Sequence, residues 1–134
     1  MGKYTELNED VFSIFGSNEW KAEGIKTFPN NFITDKLGTE FIRIDVVSNQ
    51  GLNRNSVSGA LLIDIFTPAG KGSKRTLEIA DKLDKYLVGK VLKTHGNNST
   101  QFFVSSLGNG KRDSDNPSLF RALYNLTFNY YGVI

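Results

Sequence analysis

The sequence predicts an α+β domain, a mainly antiparallel sheet of four to five strands with two helices packed on one face. Apolar residues recur at helical spacing in two segments, 5–15 and 76–87. Several other stretches, 41–47 and 120–130 most clearly, alternate apolar and polar residues with the period of two that marks a strand with one wet side. Every one of these elements has a single apolar face, and helices laid on one side of a sheet bury all of them at once.

In chain order, Leu7, Val11, Ile14 and Phe15 form the apolar stripe of the first helix, and Gly16 is predicted to end it. Residues 24–28 read as a short strand before the turn-rich Pro29-Asn30-Asn31. The next strand, 41–47, sets Ile42, Ile44 and Val46 against Arg43 and Asp45. Residues 48–58 read as a polar loop closing a long hairpin, since a second strand pattern follows at once. That strand, 61–66, carries Leu61, Ile63 and Ile65 on one face and Leu62 and Phe66 around Asp64 on the other. With both faces mostly apolar, it belongs at the centre of the sheet.

Pro68 and Gly70 break the strand, and Ser73 is placed to cap the second helix. There Thr76, Ile79, Ala80, Leu83, Tyr86 and Leu87 give the cleanest helical period in the chain. Glu78 with Lys82, and Asp81 with Lys85, are set acid-before-base four residues apart on the opposite face. Residues 101–107 form another strand, 106–117 a second polar loop, and the last strand alternates Phe120, Ala122, Tyr124, Leu126, Phe128 and Tyr130 with polar neighbours, Leu123 excepted.

The chain of 134 residues is the size of one domain, has no internal repeat, and is read as a single domain over 1–134. Its net charge of +2 is spread along the chain, so no long-range field draws it to DNA or an anionic membrane. The absence of cysteine excludes disulfides, thiolate metal sites and thiol nucleophiles. Without an apolar stretch near the N-terminus, the chain is expected to stay in the cytoplasm where it is made. The sequons at Asn97 and Asn125 are set aside on that ground.

The search for chemistry yields little. Gly70-Lys71-Gly72-Ser73-Lys74 lies between a strand and a helix, where phosphate loops occur, but the spacing that puts Gly-Lys-Ser/Thr four residues after the first glycine is missing. Lys71, Lys74 and Arg75 are candidate anion-facing residues at a helix start. His95 stands in a polar loop with no acid nearby in sequence to orient it. Asp45 and Asp64 on neighbouring strands invite a paired-carboxylate reading, though Arg43 is a plainer partner for one of them. No metal-ligating cluster or cofactor motif is present, and the chain is expected not to be an enzyme. Aromatic residues make up 12% of the chain, which opens a reading as a small single-stranded nucleic-acid binder, yet most sit at alternating apolar positions and read as core.

The run 60–73, Ala-Leu-Leu-Ile-Asp-Ile-Phe-Thr-Pro-Ala-Gly-Lys-Gly-Ser, followed by Leu77-Glu78-Ile79-Ala80-Asp81-Lys82-Leu83, resembles the tail-terminator (tail-completion) family of tailed bacteriophages. In that family an apolar strand ends in a Pro-Ala-Gly-x-Gly turn, and a helix containing Ala-Asp-x-Leu follows. An N-terminal helix with Phe12 and Phe15, then Trp20, Phe28-Pro29-Asn30 and Phe41-Ile42-Arg43-Ile44, agree in order. The resemblance implies a structural virion protein that caps the finished tail tube as a homo-oligomeric ring, usually of six copies. The ring stops polymerisation and presents a face to the neck or head-completion protein. Its implied partners are itself, the major tail tube protein and the neck, with DNA only passing through the lumen and no membrane involved. The implied location is the head-proximal end of the virion tail, with assembly in the host cytoplasm. A head-closure or neck protein is the alternative of the same class. The two polar loops are longer than the family's usual connections, and Asn49, Gln50, Leu52 and Arg54 with Lys111, Arg112 and Asp113 are accordingly the candidate assembly-interface residues. Normal tails after deletion of residues 49–55 would remove the first group. Lys71, Lys74 and Arg75 are candidates to face the lumen.

Overall fold

A computed structural model describes residues 2–29, 40–68, 74–93, 98–108, 111–112 and 119–132, with side chains described at all of these but 111, 112 and 119. Leu7, Val11, Ile14 and Phe15 form the buried side of α1 (Lys3–Phe15). Gly16 ends it, its N–H donating to the carbonyl of Phe12. A short second helix, α2 (Asn18–Ala22), follows at once and is not predicted by the apolar period, because five residues are too few to show one. It is set by its cap: the Ser17 hydroxyl accepts the N–H of Trp20 at 3.3 Å. Trp20 is buried edge-on against Phe15 and Tyr86, and its indole N–H donates to the Thr27 hydroxyl at 2.9 Å. The satisfied donor is what allows so large a polar ring inside.

The strands are β1 (Thr27–Pro29), β2 (Phe41–Gln50), β3 (Ser56–Pro68), β4 (Val91–Leu92), β5 (Ser99–Leu107), β6 (Lys111–Arg112) and β7 (Leu119–Tyr131). They form one sheet in the order β1-β2-β3-β7-β5-β4, with β6 also paired to β7. Among the described residues only β1 with β2 is parallel. Four strands are long, as expected; β1, β4 and β6 are pieces of two or three residues that raise the total to seven. β3 is central, paired to β2 along one edge and to β7 along the other.

The expected polar loop over 48–58 is mostly strand. β2 and β3 stay in register from Phe41 opposite Phe66 to Gln50 opposite Val57, so only residues 51–55 turn the chain. The β2 half of the arm, residues 48–50, is polar and exposed while Ser56 and Val57 in the β3 half are buried, and backbone pairing does not require apolar side chains on the exposed strand. The second loop shrinks likewise. β5 pairs with β7 as far as Leu107, and β6 takes up the same edge of β7 at Phe120 and Arg121.

The third helix, α3 (Lys74–Leu87), buries Thr76, Ile79, Ala80, Leu83 and Leu87, and Gly89 follows it with φ of 75°, a left-handed turn open to glycine. Its Lys82 reaches Glu23 at the end of α2 (3.7 Å), and its Glu78 meets Arg75 (3.4 Å). One core holds Leu7, Val11, Trp20, Ile79 and Leu83 from the helices with Ile42, Ile44, Leu61, Ile63, Ile65, Tyr124, Leu126, Phe128 and Tyr130 from the sheet. All three helices therefore lie on one face, as expected for two. Each fully buried Leu or Ile contributes about 1.5 to 3 kcal/mol.

Hydroxyl-to-carboxylate ties peg the helices to the sheet at two places. Tyr124 and Ser105 both donate to Asp84 of α3 at 2.6 Å. Near the other end, Tyr130 and Asn98 donate to Glu6 of α1, and Thr100 donates to the buried Asp10 at 2.6 Å. Burial first, and then the neighbouring carboxylate, pushes both tyrosines well above the usual phenol range.

Candidate assembly interface

The candidate residues fall at two opposite ends of the sheet. Asn49 and Gln50 are the last residues of β2, exposed and opposite Ser58 and Val57. Leu52 and Arg54 lie in the turn beyond them, and Leu52 is 88% exposed. Lys111 and Arg112 belong to β6, whose partners in β7 are Arg121 and Phe120. The turn of the β2–β3 arm, in contrast, adjoins the other end of β7, where the N–H of Gly132 donates to the carbonyl of Asn55 at 2.9 Å. β6 meets β7 at Phe120 and Arg121 and the arm meets it near Tyr130, so about 30 Å of sheet separates the two groups, and within one copy they do not form a single patch. Lys71 and Asp113 lie outside the described residues, as do His95, the glycine turn and its cap Ser73.

The arm end is built by convergence. Lys3 of α1 donates to the carbonyl of Arg54 at 2.8 Å, and Tyr4 is 60% exposed beside it. A cleft of about 450 Å³ there is lined by Lys3, Tyr4, Glu6, Arg54 and Tyr130, among others. Inside the turn the Ser56 hydroxyl accepts the N–H of Asn53 (3.0 Å) and donates to its carbonyl (3.1 Å), while the Asn53 side chain accepts the N–H of Asn55 (2.9 Å). Leu52 and Arg54 are thus presented on a braced turn beside Tyr4 of α1, and an aromatic ring and an arginine are among the residue types that anchor protein interfaces.

The opposite end holds Lys74 and Arg75 at the start of α3. Lys74 is exposed. Arg75 makes a two-pronged contact with Glu40, Nε to Oε2 at 2.7 Å and Nη2 to Oε1 at 3.1 Å, and a further one with Glu78 at 3.4 Å. Hydrogen bonding to Glu40 raises its pKa further and neutralises its charge locally. The sequence pattern did not mark this pair, since Glu40 stands 35 residues away.

The sheet face away from the helices carries a compact polar and aromatic group. Arg43 lies directly opposite Asp64, as expected for its partner, with 3.4 Å between Nη2 and Oδ2. Arg121 of β7 adds Nε at 3.1 Å and Nη2 at 2.8 Å to the other carboxylate oxygen. Both guanidiniums lie over the ring of Phe66, at 5.3 and 5.7 Å, and Phe66 stacks on Phe41 at 4.6 Å. Asp45 pairs across the strands with Leu62, so the two aspartates are not directly opposed. Among the described residues no group of three or more His, Cys, Asp or Glu side chains is placed to hold a metal ion, and no helix is long and apolar enough to cross a membrane. The aromatic row of β7 is buried at Tyr124, Phe128 and Tyr130, and Phe102 is buried with it; Phe103 is 40% exposed.

No family model matches the chain, and no curated protein does. Solved structures match it along nearly its whole length. One, which carries only a sequence identifier for a name, superposes with a TM-score of 0.70 at 13% identity, over 96% of this chain and 95% of its own. Another, a chain of the virion of a native gene transfer agent particle, matches with a TM-score of 0.54 at 15% identity, over 98% of this chain and 92% of that one. At these identities the likeness is one of fold: this chain and a chain of a gene transfer agent virion share the same α+β architecture from end to end.

Proposed function

We propose that this chain is a structural virion protein that caps an assembled phage tail tube as a homo-oligomeric ring, of six copies by the family resemblance. The ring terminates tail growth and presents its far face to the neck or head-completion protein. The observation that carries the reading is the end-to-end fold likeness to a chain of a gene transfer agent virion, taken with the strand-turn-helix sequence of the tail-terminator family. The two interface ends fit the same role. A terminator stands between tube and neck, and this fold puts one loop end at each extremity of a sheet about 40 Å long. DNA passes through the ring without being read, and no catalysis is involved.

Electron microscopy of particles from a producer lacking this chain tests the reading. Overlong tails, or tails without heads, are the expected result. Full, unsealed heads without tails would move the chain to head closure, and normal particles would end the proposal. Salt-dependent binding of single-stranded oligonucleotides by the purified chain would favour nucleic-acid binding instead.

A further inference from the structure

Among the described residues each lateral edge of the sheet is covered only in part, and the two edges are unlike. On one side, β1 covers β2 only at Ile42–Ile44. The N–H of Ile42 points outward to the carbonyl of Lys26, so alternate residues, Val46 and Ser48 after it, also turn their backbone groups outward, where no described residue meets them. The segment Asp45-Val46-Val47-Ser48-Asn49-Gln50 has no Lys, Arg, Pro or Gly, and its register with β3 has no bulge. It has neither the lysine, the proline nor the bulge by which many edge strands avoid pairing.

On the other side, β4 covers β5 at Thr100 and Gln101, the Lys90 carbonyl accepts the N–H of Phe102, and no described residue pairs with the outer edge of β5 from Phe103 to Leu107. Exposed apolar side chains gather on this edge: Val91 at 51%, Phe103 at 40% and Val104 at 72%. The charges also differ. Lys90 and Lys93 flank β4, while Asp45 is the charged residue of the β2 edge, and none of the three has an ion pair among the described residues.

We infer that the β2 edge of one copy docks on the β5 edge of the next, continuing the sheet from subunit to subunit. The proposal rests on the ring reading above and names the surface that closes the ring. The occupant is a second copy because the two edges are complementary in charge and apolar character and different in kind. A contact between unlike surfaces is heterologous, the type that forms closed rings. β2 and β7 run one way and β3 and β5 the other, so a neighbour related by rotation about an axis along the strands brings its β2 antiparallel to β5. Both strand ends then remain free for tube and neck.

The chain has no cysteine, which makes crosslinking clean. Particles carrying the double variant Ser48→Cys with Val104→Cys, both exposed positions, are treated with a short bismaleimide and run on a denaturing gel beside each single variant. The expected result is a ladder reaching the full ring from the double variant and no species beyond a dimer from either single one. Rings visible on the tails without a ladder would overturn the edge pairing and leave the ring reading standing. Absence of the double variant from particles that incorporate the unsubstituted chain would be checked by Ser48→Lys, an exposed position on the same edge. Exclusion of that variant too, with an unaltered melting curve, supports the edge, and its normal incorporation overturns it. Absence of any ring with the unsubstituted chain would remove both readings together.

Discussion

Gly59 is where the β2–β3 arm is closest to its limit, and Gly59→Ala is the sharpest test of the packing described above. A Cβ built there would stand 1.9 Å from the carbonyl oxygen of Val47 and 3.3 Å from the ring of Phe128. The oxygen belongs to paired backbone and cannot swing aside as a side-chain tip would. Relieving the clash to an ordinary contact moves the two strands apart by more than 1 Å, stretches the pairing around Ser48 and Gly59, and presses on a buried ring. Overpacking of this kind costs about 1 to 3 kcal/mol, and one or two weakened backbone hydrogen bonds cost about 1 kcal/mol each. The stiffer unfolded chain returns about 0.4 to 1 kcal/mol. The net loss expected is about 2 to 4 kcal/mol. With an m-value of about 1 to 3 kcal/mol per molar urea, the midpoint should fall by roughly 1 to 2 M in urea melts followed by circular dichroism. A variant within about 0.5 kcal/mol of the parent, at unchanged m, would refute the close approach of the two strands.

Leu83→Ala removes a side chain with no exposed surface from the centre of the core and should cost about 2 to 5 kcal/mol, read in the same melts. Leu52→Asp with Arg54→Glu should change stability by under about 0.5 kcal/mol, because Leu52 is almost wholly exposed, yet abolish one of the two joints, to the tube or to the neck, in pull-downs with assembled tails and with heads. It is a cleaner probe than deleting residues 49–55, which would remove Asn49 and Gln50 from a paired strand. The tyrosine ties give a pH dependence. Tyr124 and Tyr130 hold their protons more tightly folded than unfolded, so their stabilisation is complete below the unfolded phenol pKa of about 10 and is lost as pH rises above it. Denaturant melts should show stability falling as pH rises above 10, and Tyr124→Phe should remove about half of that fall.

Much of the fold was legible because burial leaves a periodic trace. Leu7 to Phe15, Thr76 to Leu87 and Phe120 to Tyr130 each carry one apolar row, and each forms the predicted element. α2 left no such trace; its only signal was Ser17, a cap directly after a helix-ending glycine. The arm at residues 48–50 was hidden because its side chains are polar on both faces, and pairing there is between backbones. Tyr124 and Tyr130 could be seen to need hydroxyl partners once placed in the core, but Asp84 and Glu6 lie far away in sequence, and distance along the chain carries no information about such pairs. The same holds for Arg121, which shares Asp64 with the expected Arg43. The interface candidates were picked as loops. What the chain could not announce was that its ordering in space sends Leu52 and Arg54 to one end of β7 and Lys111 and Arg112 to the other.

Capping a tail is a place as well as a role, and an electron cryomicroscopy reconstruction of the neck of particles that carry this chain shows where it sits. The predicted result is one closed ring of this fold at the head-proximal end of the tail tube, with the Leu52 end and the β6 end of each copy facing opposite ways along the tail. The chain found along the tube, within the capsid wall, or nowhere in the particle would contradict it.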